Sequence, residues 1–187
     1  MTLKVKLGNE VLLEESIALI KGKRVGLVTN QSGLTGDLSN LVDILLSHSK
    51  VNLVALFGPE HGYRGDAQAG IEVESYIDKR INLPVYSLCT TTKKPTSKML
   101  RDVEIILFDI QDIGARYFTY IYTMANVLEC AGKIDLPFVV LDRPNPLGGI
   151  EVEGNIVEDD FKSFVGNYAL PIRHGMTIGE LATYFNE

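Results

Sequence analysis

Five short, nearly continuous apolar runs divide the chain, and stretches with helical spacing lie between them. The runs are residues 24–29 (Arg-Val-Gly-Leu-Val-Thr), 51–57 (Val-Asn-Leu-Val-Ala-Leu-Phe), 83–88, 103–110 (Val-Glu-Ile-Ile-Leu-Phe-Asp-Ile) and 137–142 (Pro-Phe-Val-Val-Leu-Asp). A strand that is apolar at successive positions is buried on both faces, which requires a sheet covered by helices and favours parallel strands. Residues 37–48 place Leu38, Leu41, Val42, Leu45 and Leu46 on one helical face, residues 118–131 read as a longer helix, and residues 8–20 as a leading helix on the sheet edge. The predicted fold is α/β: a Rossmann-like, doubly wound, mostly parallel sheet of at least five strands with helices on both faces. No internal repeat or low-complexity tract interrupts it.

The 187 residues suffice for one sizeable core. A net charge of −6 argues against nucleic acid as a partner. No apolar run approaches the roughly 20 residues of a membrane span, so no membrane insertion is expected. The opening residues 1–8 lack the basic segment and apolar run of a signal peptide, which leaves the compartment undetermined. Cys89 and Cys130 are far apart and lack metal-type spacing, so they read as two reduced thiols. Near the end, Thr177 and Glu180 form a capping box followed by Leu181, Tyr184 and Phe185. The chain stops at Glu187, about two turns into that helix and before any C-cap, so a further domain is expected beyond it.

Open α/β sheets bind ligands beyond the carboxyl ends of their strands. Four segments in those positions are rich in polar side chains: Asn30-Gln31-Ser32-Gly33, Gly58–Asp66, Asp109–Tyr117 and Asp142–Pro146. The turn after the first run lacks the three-glycine spacing of a dinucleotide site, and no Gly-Lys-Ser or Gly-Lys-Thr is present. No Gly-x-Ser-x-Gly elbow offers a serine nucleophile. The inventory that remains is carboxylates, histidines and arginines, with no cofactor implied. It suits acid/base hydrolysis such as glycoside cleavage.

Gly58-Pro59-Glu60-His61-Gly62-Tyr63-Arg64-Gly65 resembles a motif of the bacterial exo-β-N-acetylmuramidases, a family once catalogued only as a domain of unknown function. Further matching stretches are Val25–Gly33, Asp109–Tyr117, Thr119–Met124, Leu141–Gly149 and Pro171–Leu181, in order and spanning about residues 20–182. The resemblance implies removal of terminal N-acetylmuramic acid from the non-reducing end of cell-wall fragments, with peptidoglycan-derived disaccharides or muropeptides as partners. It also implies proteins roughly twice this length. Residues 1–187 would then be the N-terminal catalytic domain, and a smaller C-terminal domain would be absent.

Carried onto this chain, the resemblance makes Glu60 the general acid. His61 would orient it, or else satisfy a turn. Asp109, ending a strand, would orient the substrate acetamido group or activate water. Asp112 is a second candidate for that role, or caps a turn. Arg64, Arg116, Arg143 and Arg173 all fall in crevice loops, and a forked guanidinium is well suited to the lactyl carboxylate that distinguishes N-acetylmuramic acid. Arg116 is favoured because Gly114 and Ala115 leave room beside it. Asn30, Gln31, Asp66, Gln111, Asn145 and His174 complete the candidate binding set, and Tyr117 would stack on a sugar or pack at the rim. Glu60, Asp109 and Arg116 are expected to share one pocket. Two rival readings use the same residues: a binding module without turnover, and a metal-dependent hydrolase. Against the second, adjacent Glu60-His61 does not set two ligands on one helix face.

Overall fold

The computed structural model describes residues 5–68, 74–89 and 93–187. Among these, the strands are β1 (Arg24–Thr29), β2 (Asn52–Gly58), β3 (Tyr76–Asp78), β4 (Leu83–Ser87), β5 (Ile105–Asp109) and β6 (Phe138–Val140). The α-helices are α1 (Gly8–Glu14), α2 (Leu41–Ser47), α3 (Ser97–Leu100), α4 (Thr119–Gly132) and α5 (Ile178–Asn186). The sheet order is β3-β4-β2-β1-β5-β6, and every pairing is parallel except β3 with β4. The chain winds outward from β1 in both directions, which is the doubly wound arrangement predicted.

The period-two geometry of strands divides the core into two layers. Val25 and Leu27 of β1, Leu56 of β2 and Ile105 and Leu107 of β5 face α1 and α2, where Leu12, Leu41, Val42 and Leu45 are buried. Val28, Phe57, Ile106 and Phe108 face the other way, onto Ile121, Met124 and Val127 of α4 and Ile178 and Leu181 of α5. Helices therefore cover both faces. Among the described residues no helix is long and apolar enough to cross a membrane.

Two helices are shorter than the periodicity predicts. Helix α2 begins at Leu41 because Asn40 caps it, its side chain accepting from the Val42 amide at 2.8 Å. The preceding residues form a turn in which Leu38 is left-handed (φ 66°) and 76% exposed, so Leu38 does not belong to the apolar face. The leading segment is helical only over Gly8–Glu14, with a 3₁₀ turn at Ile17–Leu19. Glu14 and Glu15 stand where the helix C-terminus disfavours negative charge, and both pair with Lys6 instead. The capping box at α5 forms as predicted: Thr177 accepts from the Glu180 amide, and Glu180 accepts from the Thr177 amide at 2.8 Å.

Candidate active site

The winding reverses between β1 and β5, and the loops leaving those strands are bolted together. Asn30 is buried, and its Oδ1 accepts from the Ser32 amide (2.9 Å) and hydroxyl. The same hydroxyl accepts from the Gln111 amide at 2.9 Å. Asn30 Nδ2 is buried with no hydrogen-bond partner among the described residues. Tyr120, in the first turn of α4, brings its hydroxyl beside Asn30, Gln31 and Glu60, and burial pushes that hydroxyl up.

The loop after β2 winds tightly. His61, Gly62 and Gly65 all have left-handed backbone, with φ of 71°, 72° and 71°. For His61 this conformation costs of order 1 kcal/mol, which the surrounding bonds must offset. Gly62 donates to the Pro59 carbonyl (2.9 Å) and Ala67 to the His61 carbonyl (3.2 Å). His61 Nδ1 lies 2.9 Å from the Ala67 carbonyl. A carbonyl only accepts, so Nδ1 carries a proton and donates to it.

This winding sends the two halves of the loop to different places. Glu60 lines a cavity of about 230 Å³ with Leu88, Cys89, Lys93, Thr119, Thr123, Phe164 and Val165, on the α4 side of the sheet. Its carboxylate has neither an ion-pair nor a hydrogen-bond partner among the described residues. Tyr63 and Arg64 turn toward β3, where both donate to Asp78 Oδ2, Arg64 at 2.8 Å. The Arg64 guanidinium also lies over the Tyr63 ring, 4.6 Å from its centroid. Those bonds hold the Asp78 carboxyl well below the usual range, the Tyr63 hydroxyl contributing most. Exposed Asp66 joins them around a separate cavity of about 520 Å³.

Asp109 is sealed beneath the crevice, at 0% exposure. Arg143 Nε and one terminal nitrogen both reach its Oδ1 at 2.8 Å, and Asn9 Nδ2 reaches Oδ2 at 3.2 Å. Arg143 also donates to the Leu34 carbonyl. Burial pushes the Asp109 carboxyl up to about 6, with the Arg143 guanidinium pulling the other way. The group ties β5, the residues after β6, and α1 into one unit.

A second buried cluster lies between the loops after β5 and β6. His174 Nδ1 accepts from the Met176 amide (3.2 Å), so the ring proton sits on Nε2, which lies 3.3 Å from Asp112 Oδ2. That oxygen accepts from the Gly114 amide at 2.8 Å, while Asp112 Oδ1 and His174 Nε2 are buried without a hydrogen-bond partner among the described residues. Asn145 accepts from the Leu147 amide and donates to the Met176 carbonyl, each at 2.9 Å. Gln111 Nε2 donates to the Asp112 and Pro144 carbonyls.

The remaining arginines are also occupied. One terminal nitrogen of Arg116 donates to the Asn155 and Leu170 carbonyls, pinning the long segment after β6. Arg173 pairs with Glu151 and Glu153 at 2.6 and 2.9 Å. Tyr117 is 59% exposed and free of the core. The candidates thus share one edge of the sheet but are divided: Asn30, Gln31 and Glu60; Arg64 and Asp66 beside Asp78; Asp109 with Arg143; Gln111, Asp112, Asn145 and His174; and Arg116 and Tyr117 apart from these. Neither Asp109 nor Arg116 lines the Glu60 cavity, contrary to the single pocket expected. No three His, Cys, Asp or Glu side chains among the described residues come together as metal ligands.

Sequence reading missed several participants. Tyr120 lay inside a matching stretch, Thr119–Met124, but no spacing marked its hydroxyl. Asn9 and Asp78 become partners of Asp109 and Arg64 only through the tertiary fold, and β3, which carries Asp78, is only three residues long.

Comparison with known proteins agrees with this architecture. The family described as exo-beta-N-acetylmuramidase NamZ, N-terminal, matches residues 25–187. Peptidoglycan beta-N-acetylmuramidase NamZ of Bacillus subtilis (strain 168) is 56% identical over 184 residues, covering 98% of this chain and 44% of that protein. A DUF1343 family crystal structure from Bacteroides fragilis NCTC 9343 superposes with a TM-score of 0.89 at 50% identity, over 97% of this chain and 45% of that one. A second from the same organism gives 0.83 at 36% identity, over 98% and 47%. The chain spans less than half the length of each of these relatives. With a match across most of its length and relatives this similar, the chain belongs to the family of NamZ N-terminal domains.

Proposed function

We propose that residues 1–187 form the N-terminal catalytic domain of an exo-acting β-N-acetylmuramidase, which releases terminal N-acetylmuramic acid from the non-reducing end of peptidoglycan fragments. The observation that carries this reading is the carboxylate of Glu60, without a partner among the described residues, in a cavity of about 230 Å³ at the carboxyl edge of an α/β sheet. That volume lies below the roughly 300–1,000 Å³ of pockets for larger ligands and suits a single sugar, as an exo mode of attack requires. The similarity to the Bacillus subtilis enzyme supports the same substrate class.

In this reading Glu60 protonates the glycosidic oxygen as the bond breaks and C1 gains oxocarbenium character. His61 shapes the loop that presents Glu60, its Nδ1 proton fixed on the Ala67 carbonyl. Asn30, Gln31 and the Tyr120 hydroxyl lie beside Glu60, outside the residues that line its cavity. Asp109 acts as a positioning residue through Arg143 rather than on the sugar, because it is fully buried. Glu60 is the one carboxylate among the cavity's described lining residues. The opposite face of the sugar is therefore covered by the substrate's own acetamido oxygen or by the remainder of the longer protein.

The test is hydrolysis of a chromogenic N-acetylmuraminide by the full-length protein, with the anomer of the first product read by NMR. Steady release of N-acetylmuramic acid is expected. Tight binding of muramyl ligands with no release would instead identify a binding module.

A further inference from the structure

An exo-muramidase must tell N-acetylmuramic acid from N-acetylglucosamine, and the two differ by a lactyl ether that carries one negative charge. The four crevice arginines already have partners: Arg64 on Asp78, Arg116 on two carbonyls, Arg143 on Asp109, and Arg173 on Glu151 and Glu153. None of the four lines the Glu60 cavity, and swinging any of them away from its partners to reach it would break an internal bond, which for Arg143 would strand a buried carboxylate.

The cavity of Glu60 offers a different cation. Among its described lining residues, Glu60 and Lys93 are the two that carry charge. Lys93 has a left-handed backbone (φ 49°), and its carbonyl accepts from Asn126 Nδ2 of α4 at 3.1 Å, which fixes where the side chain begins. Its ammonium lies over the Phe164 ring, 3.5 Å from the centroid, and Phe164 in turn packs against Tyr122. Among the described residues no carboxylate lies within ion-pair distance of this ammonium, Glu60 included. Two opposite charges therefore face one cavity without neutralising each other. The aromatic ring holds the ammonium by its face, on a flexible stem, and leaves its donors available to an anion.

We propose that Lys93 is the specificity-determining residue that reads the lactyl carboxylate, resting on the reading of Glu60 as the acid of a muramidase. Glu60 addresses the glycosidic oxygen on C1, and Lys93 receives the carboxylate carried from C3 of the same ring. A neutral sugar leaves the ammonium on Phe164 and gains nothing from it.

The test compares a chromogenic N-acetylmuraminide with its lactamide analogue, equal in size but uncharged, using full-length wild type, Lys93→Met, Lys93→Arg and Glu60→Gln. Wild type should show kcat/KM about 10–100-fold higher on the carboxylate than on the carboxamide, the usual range for one charge-assisted hydrogen bond. Lys93→Met should bring the carboxylate substrate down to the carboxamide value, and Lys93→Arg should restore most of the preference. A Lys93→Met variant that keeps the wild-type preference overturns the proposal, as does a wild type that treats both substrates alike. In either case muraminide turnover lost in Glu60→Gln leaves the muramidase reading standing. Absence of muraminide turnover in wild type would remove both.

Discussion

Glu60 and Asp109 flank β1 at the same edge of the sheet, one two residues beyond β2 and the other closing β5. Their surroundings are opposite. Asp109 is wholly buried, with Arg143 and Asn9 on its two oxygens. Glu60 is half-buried, faces a cavity and has no partner among the described residues. A carboxylate on the last residue of a central strand lies within the packed layer and must be paired to be tolerated there. A carboxylate carried two residues past the strand on a loop with left-handed turns is lifted clear of that layer. One position supplies rigidity and the other supplies a reactive group.

The comparison breaks most visibly if Asp109 loses its partner. Arg143→Ala should cost about 3–5 kcal/mol of stability in urea unfolding, since it leaves a buried carboxylate uncompensated. Glu60→Gln should stay within about 0.5 kcal/mol of wild type in the same assay. Equal losses would mean that Glu60 is also structural.

A smaller effect is expected at the loop after β5. Gly114 has φ 80°, and a Cβ there would lie 2.3 Å from Asn145 Oδ1. That oxygen cannot move freely, because it accepts from the Leu147 amide while the same side chain holds the Met176 carbonyl. Gly114→Ala should cost about 1–3 kcal/mol, combining left-handed strain with the loss of these bonds. A thermal midpoint equal to wild type would show that this loop is not anchored through Asn145.

The smallest effects are in pH dependence, where two buried carboxylates should act with opposite sign. Asp78 is held well below the usual range, by Tyr63 first and then Arg64, so its contribution is present above its unfolded value and is lost as pH falls. Asp109 is pushed up to about 6 by burial, so its contribution is full below its ordinary value of 3.8 and is lost as pH rises through about 6. Relative to wild type, Asp78→Asn should therefore flatten the acid limb of a stability-against-pH curve, and Asp109→Asn should flatten the decline between about pH 4 and 6. Shifts of the same sign in both variants would contradict these assignments.

Much of the architecture was legible because it rests on local pattern. Runs such as Val25–Val28 and Ile105–Phe108 have no polar face, so a sheet buried on both sides followed directly. Where local hydrogen bonding competes with periodicity, as at Leu38 before the Asn40 cap, the pattern overshot the element. At the site, the edge of the sheet could be read but the partition among the loops could not. Asp109 and Arg143 are 34 residues apart, and their pairing depends on β5 and β6 lying side by side. The separation of Glu60 from Arg64 depends on left-handed backbone at His61 and Gly62, and His61 is a residue that gives little warning of it. Lys93 lies outside every motif, and its place beside the cavity depends on tertiary contacts such as the bond from Asn126 of α4 to its carbonyl.

The central claim is that Glu60 is the reactive carboxylate and Asp109 its structural counterpart. The most direct measurement is muraminide turnover by full-length Glu60→Gln, with thermal unfolding recorded on the same preparation. Loss of a general acid should lower kcat by about 10²–10⁴-fold while the unfolding midpoint stays at the wild-type value. Turnover near wild type in a folded Glu60→Gln protein would contradict the account and return the search for the acid to the other loops of the sheet edge.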